Sequence, residues 1–291
     1  MHNNPLPLCA VRQKLPHGKS RLEFLPRTRR RYNATVYATQ SRSCKPVTTP
    51  ICLWSGPRNV STALMYSFSQ RRDIRVVDEP LYGHYLRSTG AAHPGRAEIL
   101  ANMNCDGSAV MRALLREQAE QPSVRLFCKH MAHHLVEIDL DFLNQTSNVF
   151  LIRDPREMLP SLVIQLPGVR LADTSLKQQW QLFSALRDTG QTPMILDSRE
   201  LLLDPEGVLM QLCRHLRLDF DPAMLRWEPG PIAADGIWAP HWYEAVHRST
   251  GFAPYSKKDH FPAELEALYE DCKPWYDKLF EHALKSRASG E

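Results

Sequence analysis

One short stretch of the chain concentrates side chains that could bind an anion: Gly56, Arg58, Ser61 and Thr62. Arg58 supplies a fixed positive charge, and the two hydroxyl groups supply hydrogen-bond donors. The stretch follows apolar residues 51–54 and precedes a helical pattern, so unpaired N–H groups of the first helical turn would point into the loop. We therefore predict a phosphate- or sulfate-binding loop. The alternative is an ordinary strand-to-helix turn with a surface arginine.

The loop lacks the lysine of the usual nucleotide-hydrolase P-loop. That P-loop ends in Gly-Lys-Ser/Thr, where the lysine reaches the terminal phosphates and the hydroxyl holds magnesium. Asn59, Val60, Ser61 and Thr62 stand in that place here. The sequence thus argues against a kinase or nucleotide hydrolase, although that class stays open as an alternative.

Two acids follow the next apolar segment, residues 74–77. Asp78 and Glu79 are either surface charges or a catalytic carboxylate placed at the end of a strand. Pro80 restricts the backbone directly after Glu79, so the Glu79 side chain is held in place.

A lysine and three histidines follow a third apolar segment, residues 124–128: Lys129, His130, His133 and His134. Three interpretations are open for these residues: a metal cluster, a general base or a polar loop. No carboxylate or cysteine completes an obvious metal-binding set at this spacing. A histidine suits the role of base, because its ordinary pKa near ~6.5 lets it accept a proton at neutral pH.

A second candidate anion-binding group follows the apolar segment 149–152. Arg153 would leave the strand end as a fixed cation with a fork of donors suited to phosphate. Pro155 begins a predicted helix, and Ser161 on its second turn would point its hydroxyl group toward the same place. The alternative for Arg153 is a structural ion pair with an acid.

These groups need a scaffold, and from residue 50 onward short apolar runs alternate with amphipathic segments of helical length. The alternation predicts βαβ units in a mostly parallel sheet, where ligands bind beyond the carboxyl ends of the strands. The predicted strands are 51–54, 74–77, 124–128, 149–152 and 194–196. The predicted helices are 61–70, 110–120, 157–163, 176–187, 205–216 and 263–284, with Pro274 expected to break or kink the last one.

The composition is that of an ordinary globular protein, with 43% apolar and 23% charged residues. No apolar run approaches the ~20 residues of a membrane helix, so we expect no membrane association. The seven cysteines are scattered singly, which predicts reduced thiols and no zinc site: Cys9, Cys44, Cys52, Cys105, Cys128, Cys213 and Cys272.

The positive net charge belongs to the N-terminal tail. Residues 1–50 hold ten of the 36 Lys and Arg residues but one of the 32 acids, so the rest of the chain carries −5. We therefore expect no nucleic-acid binding by the globular part. Residues 1–48 read as a basic tail, and 49–291 as one domain. The tail resembles a transit peptide for an organelle, a plastid rather than a mitochondrion, with a cleavage region near 36–38. A disordered tail of a cytoplasmic protein, or a nuclear signal at 27–31, is the alternative.

The ordered motifs resemble those of the sulfotransferase family. Pro57, Arg58, Ser61 and Thr62 match its 5′-phosphosulfate loop, Pro-Arg/Lys-Ser-Gly-Thr-Thr-Leu, whereas Asn59 and Val60 replace the Ser-Gly pair. Arg153 and Ser161 keep the eight-residue interval of the family's 3′-phosphate motif. Asp204 and Pro205, predicted to cap and begin a helix, match a third stretch. The resemblance covers roughly residues 50–252.

The resemblance implies a three-layer α/β fold of the P-loop type, with a central, mostly parallel five-stranded sheet. It also implies the donor 3′-phosphoadenosine 5′-phosphosulfate, no metal, and transfer of a sulfuryl group to a hydroxyl or amine. Residues 56–62 with Arg58 would hold the 5′-phosphosulfate, and Arg153 with Ser161 the 3′-phosphate. His130 matches the histidine base of Lys-Thr-His-Leu-Pro in cytosolic sulfotransferases, with Glu79, which matches the glutamate of tyrosine sulfotransferases, as the other candidate.

Three residues near the C-terminus are further candidates for nucleotide binding. Sulfotransferases often close over the nucleotide with a basic, glycine-containing loop, which Arg248 and Ser249 would provide, and Trp238 would stack on adenine. Packing aromatics and a surface loop are the alternative. The resemblance leaves the acceptor open between a small molecule and a peptide, and it leaves room for a binding module without catalytic activity.

Overall fold

The computed structural model describes residues 48–258 and 260–287. The predicted tail at residues 1–48, with its candidate cleavage and nuclear signals, lies outside the described residues except for its last position.

The central sheet has five parallel strands in the order β2-β3-β1-β4-β5. The strands are β1 (Ile51–Ser55), β2 (Ile74–Asp78), β3 (Arg125–Met131), β4 (Ser147–Ile152) and β5 (Met194–Asp197). This confirms the α/β fold and the five-stranded sheet predicted from the sequence. The carboxyl ends of β1, β3 and β4 lie side by side, because β1 pairs with both of the others. The loops after these strands therefore meet at one edge.

Helices flank the sheet. They are α1 (Ser61–Ser69), α2 (Tyr82–Thr89), α3 (Arg96–Asn102), α4 (Gly107–Glu120), α5 (Pro155–Gln165), α6 (Leu176–Asp188), α7 (Ser198–Leu203), α8 (Pro205–His215), α9 (Ala239–Trp242), α10 (Glu244–His247) and α11 (Glu266–Phe280). The predicted caps of α8 are confirmed: Asp204 accepts a hydrogen bond from the Gly207 N–H at 2.9 Å, and Pro205 is the first helical residue. Pro274 lies inside α11 and does not end it.

The two faces of the sheet build separate parts of the core. Leu53 and Phe127 pack on one face with α1, whereas Trp54 and Cys128 pack on the other with α6 and α11. Successive side chains of a strand point to opposite faces, so both faces of these strands must be apolar to be buried. The result is the expected arrangement of three layers.

Strand β3 is longer than the sequence predicted, and the difference decides where two candidate residues point. It runs to Met131, three residues beyond the predicted end at Cys128. Lys129 and His130 are therefore consecutive strand residues, which must face opposite sides of the sheet. Lys129 lies on the side of Asp78, its register partner, and His130 lies on the side of Trp54.

Candidate functional site

A cavity of about 400 Å³ opens at the carboxyl ends of the strands. One part of its wall is the loop between β1 and α1, together with Arg153 after β4. Another part consists of Glu79 after β2 and the residues after β3. Segment 238–253 supplies further wall residues. The cavity thus joins the two predicted anion-binding motifs to the carboxylate after β2.

The loop between β1 and α1 has an unusual backbone. Arg58 and Val60 both adopt left-handed conformations, with φ angles of 60° and 57°, and Asn59 between them does not. Such alternation of hand turns neighbouring N–H groups toward one side and forms an anion-binding concavity, called a nest. Val60 is β-branched, a residue type that resists this conformation. It stands where the sulfotransferase pattern has glycine, the residue type that adopts a left-handed conformation without strain.

Buried hydrogen bonds hold this loop in place. The Asn59 side-chain amide donates to the Leu151 carbonyl oxygen at 3.0 Å, and the Ser198 hydroxyl donates to the Asn59 carbonyl oxygen at 2.9 Å. Gly56 lies so close to the backbone of Thr174 that an added Cβ atom would stand 2.4 Å from the Thr174 carbonyl oxygen. The loop therefore depends on residues far away in the sequence.

We expect Gly56→Ala to destabilise the protein by about 1–3 kcal/mol, because the new methyl group meets backbone that must move. Urea denaturation measures this loss. Gly90→Ala is a useful comparison, since Gly90 has φ 69° but open space around its Cα. Both variants should lose stability, but only Gly56→Ala should also distort the loop and weaken anion binding. Equal anion binding by both would contradict the role given to Gly56.

The two predicted anion-binding motifs meet in the structure. The Arg58 Nε atom donates to the Ser161 hydroxyl at 2.7 Å, and the Arg153 guanidinium donates to the Arg58 carbonyl oxygen at 2.9 Å. Burial, and then the positive charge of Arg153, lower the pKa of Arg58. Two neighbouring cations repel each other, and this repulsion favours an anion between or beside them.

A third cation and one carboxylate lie next to Arg153, which lines the cavity. Glu157 lies 3.3 Å from the Arg153 Nε atom, and the Tyr255 hydroxyl donates to Glu157 at 2.7 Å. The Lys258 ammonium donates to the Glu157 carbonyl oxygen at 3.0 Å. Burial lowers the pKa of Lys258, and the charges of Arg153 and Arg58 lower it further. Of these three cations Arg153 pairs with the Glu157 carboxylate, so positive charges outnumber negative ones among these four side chains.

Glu79 belongs to a buried cluster of charges. The Lys129 ammonium donates to Glu79 at 2.8 Å and to Asp78 at 2.7 Å. Tyr243 donates its hydroxyl proton to Asp78 at 2.7 Å. Burial raises the pKa of Glu79, the Lys129 charge lowers it, and the Asp78 charge raises it again, with a net rise. Glu79 lines the cavity, so a carboxylate with raised proton affinity faces it.

The structure does not bring His130 to the cavity. Its side chain is buried on the opposite face of the sheet, where its ring stacks on Trp54 with 4.4 Å between the centroids. Burial and the nearby Lys129 charge lower the pKa of His130 to about 3. The sequence interpretation placed His130 at the acceptor because it ended β3 too early. Of the two candidate bases, the structure places Glu79 in the cavity.

His133 and His134 do line the cavity, in a group of stacked rings with Tyr82 and Tyr85. The His134 ring lies parallel to Tyr82 with 5.0 Å between centroids, and 4.6 Å from Tyr85. Burial lowers the pKa of His133 to about 3 and that of His134 well below its ordinary value. These histidines are neutral at neutral pH, so this part of the wall is aromatic and uncharged.

A sequence profile of the sulfotransferase domain matches residues 49–288. The chain belongs to the sulfotransferase domain family. Two proteins of Arabidopsis thaliana are similar to it: branched-chain-amino-acid aminotransferase-like protein 2, 40% identical over 238 residues, and protein 1 of the same name, 38% identical over 235 residues. The alignments cover 81% and 80% of this chain but 42% of either relative, so the chain spans less than half of their length.

Solved sulfotransferase structures resemble this sulfotransferase domain at low sequence identity. The sulfotransferase domain of the Synechococcus PCC 7002 olefin synthase is 19% identical, with a TM-score of 0.48, covering 80% of this chain and 98% of that one. Sulfotransferase STF9 from Mycobacterium avium is 15% identical, with a TM-score of 0.45, covering 84% and 79%.

Of the three C-terminal candidates for nucleotide binding in the sulfotransferase domain, two line the cavity and one does not. Ser249 lines the cavity, and its hydroxyl accepts a hydrogen bond from the Trp227 indole at 3.1 Å. The Arg248 side chain is 71% exposed, pairs with Glu244 and does not line the cavity. Trp238 lines the cavity, where its indole donates to the Tyr243 hydroxyl at 3.1 Å. Trp238 thus packs beside the Glu79 cluster.

Sequence reasoning missed Tyr243, Tyr255 and Lys258, which join the site from the last quarter of the sulfotransferase domain. The pair Lys257-Lys258 after Gly251 was a visible signal, since a basic, glycine-containing loop was expected in this region. The two tyrosines have no local signature.

The described residues contain no group of three or more His, Cys, Asp or Glu side chains arranged to hold a metal ion. None of the helices described in the sulfotransferase domain is long and apolar enough to cross a membrane.

Proposed function

We propose that this protein transfers a sulfuryl group from 3′-phosphoadenosine 5′-phosphosulfate to a hydroxyl or amine of an acceptor. One observation carries the proposal: the Arg58 side chain contacts Ser161, and the Arg153 guanidinium contacts the backbone of the same loop. The two phosphate motifs therefore form one positive site at the start of α1, continuous with a cavity that contains a carboxylate.

The residues present fit such a donor. Arg58 and the N–H groups of loop 56–60 would hold the 5′-phosphosulfate, because the loop is a nest at a helix N-terminus. Arg153 and Ser161 would hold the 3′-phosphate and so distinguish this donor from ATP. Lys258 adds a third cation beside both arginines.

The bound donor supplies an anionic sulfuryl group whose transfer resembles phosphoryl transfer, where positioning and charge stabilisation dominate. Arg58 would stabilise the charge that develops on the leaving phosphate. Glu79 would accept the proton of the acceptor, since it faces the cavity and its pKa is raised above the ordinary value. The neutral rings of Tyr82, Tyr85 and His134 would contact the acceptor.

The direct test is isothermal titration calorimetry of the purified protein with adenosine 3′,5′-bisphosphate, compared with ATP and Mg²⁺. We expect binding of the bisphosphate at micromolar concentration or below, and ATP at least about tenfold weaker, which corresponds to about 1.4 kcal/mol. A protein that binds ATP well and the bisphosphate not at all would contradict the proposal and favour a kinase or hydrolase.

Turnover is tested separately by incubating the protein and a radiolabelled donor with a cell extract. We expect a labelled product that depends on the protein. Tight binding of the bisphosphate without any labelled product would instead favour a nucleotide-binding module, and the claim of catalysis would fail.

A further inference from the structure

The hydrogen bonds around Lys129 can be counted atom by atom. An ammonium group has three donors and no acceptor. Its three bonds go to Asp78 Oδ1 at 2.7 Å, Glu79 Oε1 at 2.8 Å and the Tyr243 hydroxyl oxygen at 2.5 Å. The Lys129 side chain is fully buried and does not line the cavity. All three N–H donors of Lys129 are therefore used inside the cluster, and none is free to bind a ligand.

The two carboxylates are bound unequally. Asp78 Oδ2 accepts from the Tyr243 hydroxyl at 2.7 Å and from the Gly236 N–H at 3.2 Å, in addition to the Lys129 bond to Oδ1. The single proton of Tyr243 goes to Asp78 because Glu79 Oε1 lies farther away, at 3.4 Å. Within the residues that the structure describes, Glu79 Oε2 has no hydrogen bond. It is the free acceptor of the cluster, on a residue that lines the cavity.

The backbone holds Glu79 in the same position. Its φ angle is 37°, an uncommon value for a residue with a side chain. Its N–H donates to the Lys129 carbonyl oxygen at 2.8 Å, and its own carbonyl oxygen accepts from the Tyr82 N–H at 2.9 Å. Strain of this kind persists only where surrounding contacts impose it.

We propose that Lys129, Asp78 and Tyr243 are positioning residues that direct Glu79 Oε2 into the cavity and set its affinity for a proton. The proposal deepens the function proposed above, on which the role of Glu79 as base rests. Lys129 fixes Oε1, and Asp78 raises the affinity of Glu79 for a proton by its negative charge. Tyr243 limits that rise, because it satisfies Asp78 and leaves the Lys129 charge available to Glu79.

Other titratable groups lie around the cluster. Tyr66 feels the Asp78 charge, and the ion pair of His247 with Asp235 lies beside Tyr243. Tyr82 of α2 faces Glu79; burial raises the pKa of Tyr82, and the Glu79 charge raises it further, so Tyr82 stays protonated. The Lys129 charge also acts on His134 and, across the sheet, on His130, and burial keeps both histidines neutral. Between about pH 5 and 9 Tyr82, His130 and His134 each keep one charge state, so they add no charge change of their own to the response of Glu79 in that range.

The test is a ¹³C NMR titration of the glutamate side-chain carboxyls in the full-length protein, with the Glu79 signal assigned by its loss in Glu79→Gln. In Asp78→Asn the like charge is gone, and we expect the Glu79 midpoint to fall by about one pH unit or more. In Tyr243→Phe the Asp78 carboxylate loses a hydrogen-bond donor and competes with Glu79 for Lys129. We therefore expect the Glu79 midpoint to rise by about half a pH unit. Opposite signs are the signature of the proposed arrangement.

Tyr276→Phe is the matched control, because the Tyr276 hydroxyl also donates to a buried carboxylate, Asp197, at 3.1 Å but outside the cavity. It should lower the melting temperature and leave the Glu79 midpoint unchanged. Shifts of the same sign in Asp78→Asn and Tyr243→Phe, or an unchanged midpoint in both, would overturn the proposal. If one of the two variants fails to fold, the sign in the other decides.

The titration does not depend on turnover, so the two proposals fail separately. A Glu79 midpoint that shifts as expected, with full turnover in Glu79→Gln, would reject Glu79 as base and keep the charge arrangement. If turnover is lost in Glu79→Gln but the Glu79 midpoint is unchanged in Asp78→Asn and Tyr243→Phe, Glu79 remains the base and the role of the positioning residues is rejected.

Discussion

Arg153→Ala should bind adenosine 3′,5′-bisphosphate about 10- to 150-fold more weakly than the unmodified protein. Removal of one charge-assisted contact costs about 1.5–3 kcal/mol, and the cation lost here stands beside Arg58 and Ser161 in the positive end of the cavity. Binding of adenosine 5′-phosphosulfate, which lacks the 3′-phosphate, should weaken much less. Calorimetry with both nucleotides measures the difference.

A matched control is Arg156→Ala. Arg156 lies three residues further along and carries the same charge, but it is exposed, pairs with Glu266 and does not line the cavity. It should leave both affinities within about twofold, because exposed pairs contribute little. Equal losses for the two nucleotides in Arg153→Ala would mean that Arg153 supports the loop, through its bond to the Arg58 carbonyl oxygen, and does not select the 3′-phosphate.

Glu79→Gln should lower kcat by about 10²- to 10⁴-fold, the usual contribution of a general base. Glutamine has nearly the same shape but cannot take the proton, and affinity for the bisphosphate should stay within about twofold. The proposed activity of the unmodified protein should fall as the pH falls through the raised pKa of Glu79, because protonation removes the base, and return above that pKa. Steady-state rates across pH, with the acceptor found by labelling, measure both effects.

His130 provides the comparison for this prediction. His130→Phe keeps a ring stacked on Trp54 and removes both imidazole nitrogens, which have no hydrogen-bond partner among the described residues. We expect turnover to be retained. Activity lost in His130→Phe but kept in Glu79→Gln would reverse the assignment and require β3 to end earlier than it does here.

The sequence was sufficient for the scaffold because hydrophobic periodicity is local. Five short apolar runs separated by amphipathic segments predicted five parallel strands, and the structure confirms them. Helices α2 and α3 were not predicted, since they have eight and seven residues, too few for a clear helical period, and α2 contains Gly83 and His84. Both helices pack through contacts that tertiary structure supplies.

The largest difference at the site comes from a strand end, the least reliable feature of sequence-based prediction. Nothing in Lys129-His130-Met131 stops a strand, yet polar residues suggested a loop. Extension of β3 to Met131 exchanges the faces of two neighbouring side chains, because the side-chain period is two. Lys129 thereby joins Asp78 and Glu79, while His130 joins Trp54 in the core.

Another part of the site depends on contacts between distant residues. Tyr243 reaches Asp78 across 165 residues of the chain, and Tyr255 reaches Glu157 across 98. Hydrogen bonds of this range leave no spacing pattern in a single sequence. The arginine motifs could be found because each is contiguous with the strand that presents it.

The order in which the site's parts occur along the chain has a consequence for biosynthesis. All five strands, both arginines and Glu79 are translated by residue 197, whereas Gly236, Tyr243, Tyr255 and Lys258 come later. Domains form as the ribosome releases them from the N-terminal side. A nascent chain that has just exposed β5 would therefore hold all five strand segments but lack the groups that satisfy Asp78 and flank Glu157, and it would gain its binding properties only after residue 258 has also left the ribosome.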